Sequence, residues 1–174
     1  MNFKNYTNTK KLTISGMVMA LYIVILYFTQ SFSFGAYQIR IATSLYAMGY
    51  FCPFLIVPLG LANFISNALF GGLGVLDMVG GCIVGIVTTT CVAAVRKFHL
   101  PDWLVAVPII LVPGLGVSTY LSYLLKVPYS ALSVSLCIGQ AVPAVCGAIA
   151  VRVAKRYLSV SDESCLLYTS DAAD

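Results

Sequence analysis

The chain has 174 residues, 60% of them hydrophobic and only 9% charged, with a formal net charge of +4. Soluble domains average roughly 45–50% apolar and about 25% charged residues, so an ordinary soluble domain is excluded, as is intrinsic disorder, which needs low hydrophobicity. The positive balance comes from scarce acids rather than from basic clusters interleaved with aromatics, which excludes a nucleic-acid binder; with a mean hydropathy of +0.93, an integral membrane protein remains.

The charged residues Lys4, Lys10, Lys11, Arg40, Asp77, Arg96, Lys97, Asp102, Lys126, Arg152, Lys155 and Arg156 bound uncharged stretches at 12–39, 41–76, 78–95, 103–125 and 127–151. A helix needs about 20 apolar residues to cross about 30 Å of hydrocarbon. Four of the stretches fit one span each. The stretch 41–76 is too long for one span and too short for two full ones. Cys52-Pro53 supplies the break, because proline disfavours helix in the residue before it. A short second helix over about 38–52 and a third over about 53–71 are thereby predicted.

The first stretch has a hydrophobic region too long for a signal peptide and no convincing cleavage site, so it reads as a retained helix. Lysine and arginine positions then fix the number of crossings. Six crossings place Lys4, Lys10, Lys11, Arg96, Lys97, Arg152, Lys155 and Arg156 inside, with only Arg40 and Lys126 outside. Five crossings put most of the basic residues outside. The positive-inside bias selects six spans with both termini cytoplasmic. The expected fold is an all-α compact bundle of six transmembrane helices, the second short, in one membrane domain over 1–158. Residues 159–174 lack helical periodicity and read as a disordered or non-native tail, resembling translated sequencing-adapter sequence.

Catalytic chemistry has no foothold. The sole histidine, His99, falls in a predicted cytoplasmic loop. Paired carboxylates, a phosphate-binding loop and a nucleophile motif are absent from the sequence, so an enzyme is not expected, and active transport needs an outside energy source. Cys52, Cys82, Cys91, Cys137 and Cys146 lie in apolar stretches without metal-ligand spacing and read as small packing residues. No metal or cofactor is expected.

Candidate binding residues gather near the predicted outer ends of the helices. Arg40 begins the second helix and Asp77 the fourth. Ionisable groups at membrane depth are costly, and they pair, face inward or mark a substrate path. The two readings are an Arg–Asp clasp between helices and a ligand contact made by the guanidinium fork and the carboxylate. Asn63 and Asn67, four residues apart, share one face of the third helix. They read either as interhelical glue or as a donor–acceptor edge for a flat heterocycle. The uncharged aromatic loop 30–38, with Phe34, Tyr37 and Gln38, reads as a lid over an outer cavity or as part of an aromatic belt. Tyr120 and Tyr123 invite the same two readings, whereas Trp103 reads as an anchor at the inner interface.

Three glycine-bearing segments carry expectations of their own. Phe70-Gly71-Gly72-Leu73-Gly74 is a tight outer turn, and no strand precedes it as a dinucleotide loop requires. Pro113-Gly114-Leu115-Gly116 is expected to interrupt the fifth helix near mid-membrane, where freed backbone groups must face protein or a cavity. Gly16 and Ala20 make a small-residue face on the first helix, and Ala144 and Ala148 repeat the spacing on the sixth.

The run Phe34-Gly35-Ala36-Tyr37-Gln38-Ile39-Arg40-Ile41, then Phe51-Cys52-Pro53, Leu61-Ala62-Asn63-Phe64 and Phe70 through Gly81, resembles the queuosine-precursor transporter (QueT-type) family. Tyr120-Leu121-Ser122-Tyr123 and Ile138-Gly139-Gln140-Ala141 resemble its last two helices, so the likeness spans about residues 12–156. That family comprises substrate-binding S components of energy-coupling factor (ECF) transporters. The resemblance implies an outer-facing pocket capped by the loop before Arg40, with Phe34 or Tyr37 stacking and Gln38, Arg40, Asn63, Asn67, Asp77, Tyr120 and Gln140 as polar contacts. It implies a small deazapurine substrate, a T subunit docked at Gly16 and Ala20, two ATPase subunits, and the plasma membrane of a prokaryote. Where the family often carries acids, this sequence has Thr43, Ser118-Thr119 and Gln140. Burying a cationic aminomethyl group needs a counter-charge, so a pocket without those acids is expected to prefer a neutral heterocycle. Two other readings stand beside this one: an S component for another vitamin of folate or flavin type, and a non-transporting membrane scaffold.

Overall fold

The computed structural model describes residues 7–33, 38–71 and 73–158. The loop positions Phe34 and Tyr37 and the tail 159–174 lie outside the described residues. Within them the chain is helical throughout. The first helix is Asn8–Phe28, followed by a single turn at Gln30–Ser33. The second is Ile41–Tyr50. The third, Ile56–Ser66, is entered through a 3-10 turn at Pro53–Leu55 and continues into a wide π turn at Asn67–Gly71. The fourth is Val75–Lys97. The fifth, Ala106–Leu125, follows a 3-10 turn at Asp102–Val105, and the sixth is Tyr129–Leu158.

Among the described residues, 5 helical segments are long and apolar enough to cross a membrane: Asn8–Phe28, Pro53–Gly71, Val75–Lys97, Asp102–Leu125 and Tyr129–Arg156. The third begins at Pro53, where the missing N–H of proline falls on a first turn that has no partner for it anyway. The second helix is not one of the five. It is a 3-10 helix of 10 residues, which at about 2.0 Å per residue reaches roughly 20 Å. It buries Ala42, Thr43, Tyr46, Ala47, Gly49 and Tyr50 and packs against the sixth, fourth and first helices. It is thus the short, enclosed element that the Cys52-Pro53 break predicts.

Apolar residues cover both faces of these helices, so the polar residues mark the inside. Met17, Leu61, Ile83, Ile138 and Ile149 are exposed, while Arg40, Thr43, Asn63, Asn67, Asp77 and Gln140 are buried. This is the arrangement expected when the surrounding solvent is hydrocarbon. Tyr22, Tyr46, Leu55, Leu59, Val105 and Ile109 fill the centre.

Close helix contacts depend on missing side chains. A Cβ on Gly60 would strike Ile86 Cγ1 and lie 3.1 Å from Cys82 O, so the third helix rests directly on the fourth. Gly74, which precedes the fourth helix, holds φ at +90°, a conformation open to glycine without penalty. The expected interruption at Pro113 does not occur: the fifth helix runs unbroken from Ala106 to Leu125. Proline removes one backbone hydrogen bond, but Gly114 brings the fifth helix against the sixth, its Cβ position only 3.3 Å from Cys137 Cα. Packing along that line outweighs the one lost bond.

Gly60→Ala is therefore expected to lower the melting midpoint of the detergent-purified protein. Overpacking costs about 1–3 kcal/mol, which outweighs the gain of about 1 kcal/mol in helix propensity. Gly16→Ala, where nothing lies within 4 Å of the added methyl, is expected to leave the midpoint unchanged or slightly raised.

Candidate functional site

The inner face of the second helix sets the site. A 3-10 helix has three residues per turn, so side chains three apart stack in a line. Arg40, Thr43 and Tyr46 form such a line. Arg40, only 5% exposed, donates from Nη1 to Asn63 Oδ1 at 3.2 Å. Asn63 in turn donates both amide hydrogens, to Tyr46 Oη at 2.9 Å and to Gly81 O at 2.9 Å. Tyr46 and Tyr22 share a hydrogen bond of 3.2 Å, with ring centroids 5.9 Å apart. One polar chain thus joins the first four helices around a buried guanidinium.

The sixth helix closes the other side. The Thr43 hydroxyl lies 2.7 Å from Arg40 O and 2.9 Å from Gln140 Oε1, sharing its proton between them. Gln140 Nε2 donates to Gln38 O at 3.2 Å. Thr43 and Gln140, two of the positions where acids are replaced by neutral residues, therefore satisfy each other. Thr119, the third, is exposed and bonds its own helix at Gly116 O, 2.7 Å away.

Gln38, Arg40, Thr43, Tyr46, Asn63 and Gln140 line one cleft, whose apolar wall is Val84, Pro113, Val117 and Leu136. It encloses about 300 Å³ counting its open mouth. Little of that depth admits more than a water-sized body, so a ring-sized ligand requires the helices to part.

Asn67, Asp77 and Tyr120 do not line this cleft but continue it toward the start of the fourth helix. Asn67 Nδ2 donates to Asp77 O at 3.0 Å. The Cβ position of Gly81 meets both Asn67 Nδ2 and Asn63 Oδ1, and that of Gly80 meets the Tyr120 ring at 2.7 Å. Arg40 is near enough to Asp77 to act on its charge. Phe34 and Tyr37, predicted to stack on a ligand, lie outside the described residues. Gly16 and Ala20 are exposed on the first helix, and Ala20 borders a broad apolar groove with Met17, Leu21, Val24 and Met48. Tyr123 and Trp103 are likewise exposed.

Two features escape a sequence reading. Tyr46 joins the site only because the second helix has a period of three, which no α-helical pattern brings into line with Arg40. The second feature lies at the opposite end of the bundle. There Asp102 Oδ1 accepts from Lys155 Nζ at 2.9 Å and from Tyr50 Oη at 2.8 Å. Arg96 Nη1 donates to Tyr50 O at 3.3 Å and stands 5.6 Å from the Tyr50 ring centroid. Charges at the ends of three separate apolar stretches are the only sequence signal for this cluster.

Helices of membrane-crossing length around a buried polar cleft define a multi-pass membrane protein, the class to which transporters belong. The chain matches the QueT transporter family over residues 12–156 and belongs to that family. No curated protein and no solved structure matches it.

Asn63→Ala removes the acceptor of Arg40 Nη1 and the donor to Tyr46. It is expected to cost about 1–3 kcal/mol, the penalty for buried polar groups left unmet, read as a lower melting midpoint. Asp102→Asn is expected to cost less than about 1 kcal/mol in the same assay, because its ion pair with Lys155 is 37% and 25% exposed on the two side chains.

Proposed function

We propose that this chain is the substrate-binding S subunit of an ECF-type importer in a prokaryotic plasma membrane, and that its substrate is a queuosine-precursor deazapurine. The observation that carries this reading is the buried polar cleft of Arg40, Thr43, Asn63 and Gln140, inside the segment that matches the QueT transporter family. A flat heterocycle suits a slot with amide and guanidinium groups on one wall and Val84, Val117 and Leu136 on the other.

The proposed mechanism has these steps. The ligand enters from the outer side. A T subunit docks on the exposed face around Gly16 and Ala20. Two ATPase subunits then supply the energy that reorients the chain and opens the cleft inward. The ligand biases that change only through its different affinity for the two states. The sequence is proposed to act as one domain over 1–158.

The lining of the cleft holds a guanidinium but no carboxylate, so an ammonium would lack a counter-charge there. Thr43 and Gln140 bond to each other and to backbone carbonyls, so neither offers a negative partner. The test is equilibrium binding of two deazapurines to the full chain, one with a neutral nitrile and one with a cationic aminomethyl group. The neutral form is expected to bind at least about tenfold more tightly, since 1.4 kcal/mol separates the two for each factor of ten. Gln140→Glu sets a carboxylate against Gln38 O and is expected to shift the preference toward the cation. Tighter binding of the cation by the unaltered chain contradicts the reading.

A further inference from the structure

The hydrogen-bonding capacity of the site is unevenly spent. Asn63 uses both donors on protein, and the Gln140 oxygen is taken by Thr43. These amides hold the helices in place. By contrast, Asn67 Oδ1 and Asp77 Oδ2 are buried without a close hydrogen-bond partner among the described residues, and the buried Tyr120 Oη stands beside the Asp77 carboxylate without closing a short bond to it. Asn67 and Asp77 are each only 2% exposed. Buried polar groups are almost always bonded, to protein, to water or to a ligand.

Their placement continues the cleft. Asp77, Gly80, Gly81 and Val84 follow one another at helical spacing along one face of the fourth helix, and Val117 and Tyr120 do so on the fifth. Val84 and Val117 line the cleft, while the Tyr120 ring crosses Gly80 one turn away. Asn67 sits beside Asn63 against Gly81 and opens the π turn that ends the third helix. Such widened turns occur frequently at functional sites.

We propose that Asp77, Asn67 and Tyr120 form a second polar subsite that reads a donor-bearing edge of the ligand. It rests on the reading of the chain as a heterocycle carrier. Two acceptor oxygens from a carboxylate and an amide match adjacent ring N–H and exocyclic NH2 donors, the cyclic-guanidine edge of a guanine-like ring. The Tyr120 phenol stands beside that carboxylate at the rim and helps to orient it. The ligand is thus selected for an amino group next to a ring N–H, and the Arg40–Asn63 network positions the wall behind it.

Binding of deazaguanine and of deazahypoxanthine, which lacks the exocyclic amine, to the full chain in lipid nanodiscs tests this. The unaltered chain is expected to prefer deazaguanine by about 10- to 100-fold, the cost of leaving a buried acceptor unmet. Asp77→Asn, nearly the same shape, is expected to abolish most of that preference. Tyr120→Phe, which keeps the ring over Gly80, is expected to reduce it about threefold or more and carries the test where Asp77→Asn does not fold. Equal binding of the two bases overturns the donor-edge assignment. A preference that survives both substitutions places the recognition elsewhere and overturns this subsite. Binding of neither base to folded protein instead removes the deazapurine reading on which the proposal rests.

Discussion

A guanidinium buried inside an apolar bundle constrains this structure more than any other group. Arg40 cannot lose its charge, so it must be met by acceptors where the hydrocarbon offers none. Asn63 meets it through Oδ1. To hold that orientation, Asn63 must place both its donors, and Tyr46 Oη and Gly81 O take them. Gly81 must then lack a side chain, because a Cβ there would strike Asn67 and crowd Asn63. The close contact of the third and fourth helices and the polar lining of the cleft both follow from this one demand.

The same demand bears on the charge of the cleft, whose lining has a guanidinium and no carboxylate. With Arg40 answered by an amide, Thr43 and Gln140 are left to bond to each other and to the backbone. A chain with acids at those two positions needs a cation to balance them. Here both positions are uncharged and already bonded, so the site keeps its form without a cationic ligand. What is left over is the acceptor pair on Asn67 and Asp77, which the Tyr120 hydroxyl beside it meets only in part, and buried acceptors of this kind are completed by water or by a ligand. The narrowness of the cleft adds a second condition. A ring-sized ligand enters only if the helices part, which links occupancy to conformation as a carrier requires.

Much of the bundle was legible in the sequence. Charges at Arg40, Asp77, Arg96, Asp102 and Lys126 punctuate the apolar stretches, and Pro53 marks the start of the third helix where the structure has it. The grouping of Arg40 with Asn63 and Gln140 was legible too, because polar residues in apolar helices turn inward. The period of the second helix was not. Its 3-10 winding reflects confinement between the sixth, fourth and first helices, a tertiary effect that local sequence does not encode, and Tyr46 went unnoticed with it. Pro113 misled for a related reason: its cost is local, while the Gly114 contact that offsets it belongs to the sixth helix. The Asp102–Lys155–Tyr50 cluster joins residues far apart in the chain, and periodicity is blind to such contacts.

Mass analysis of small molecules released from the gently purified full chain tests most directly whether the cleft around Arg40 is a carrier's binding site for a deazapurine. The expected result is a neutral deazapurine with an amino-substituted ring, retained by the unaltered protein and lost from a folded Arg40→Ala variant. Release of a different vitamin, or of nothing from protein that also fails to bind added deazapurine, contradicts the account.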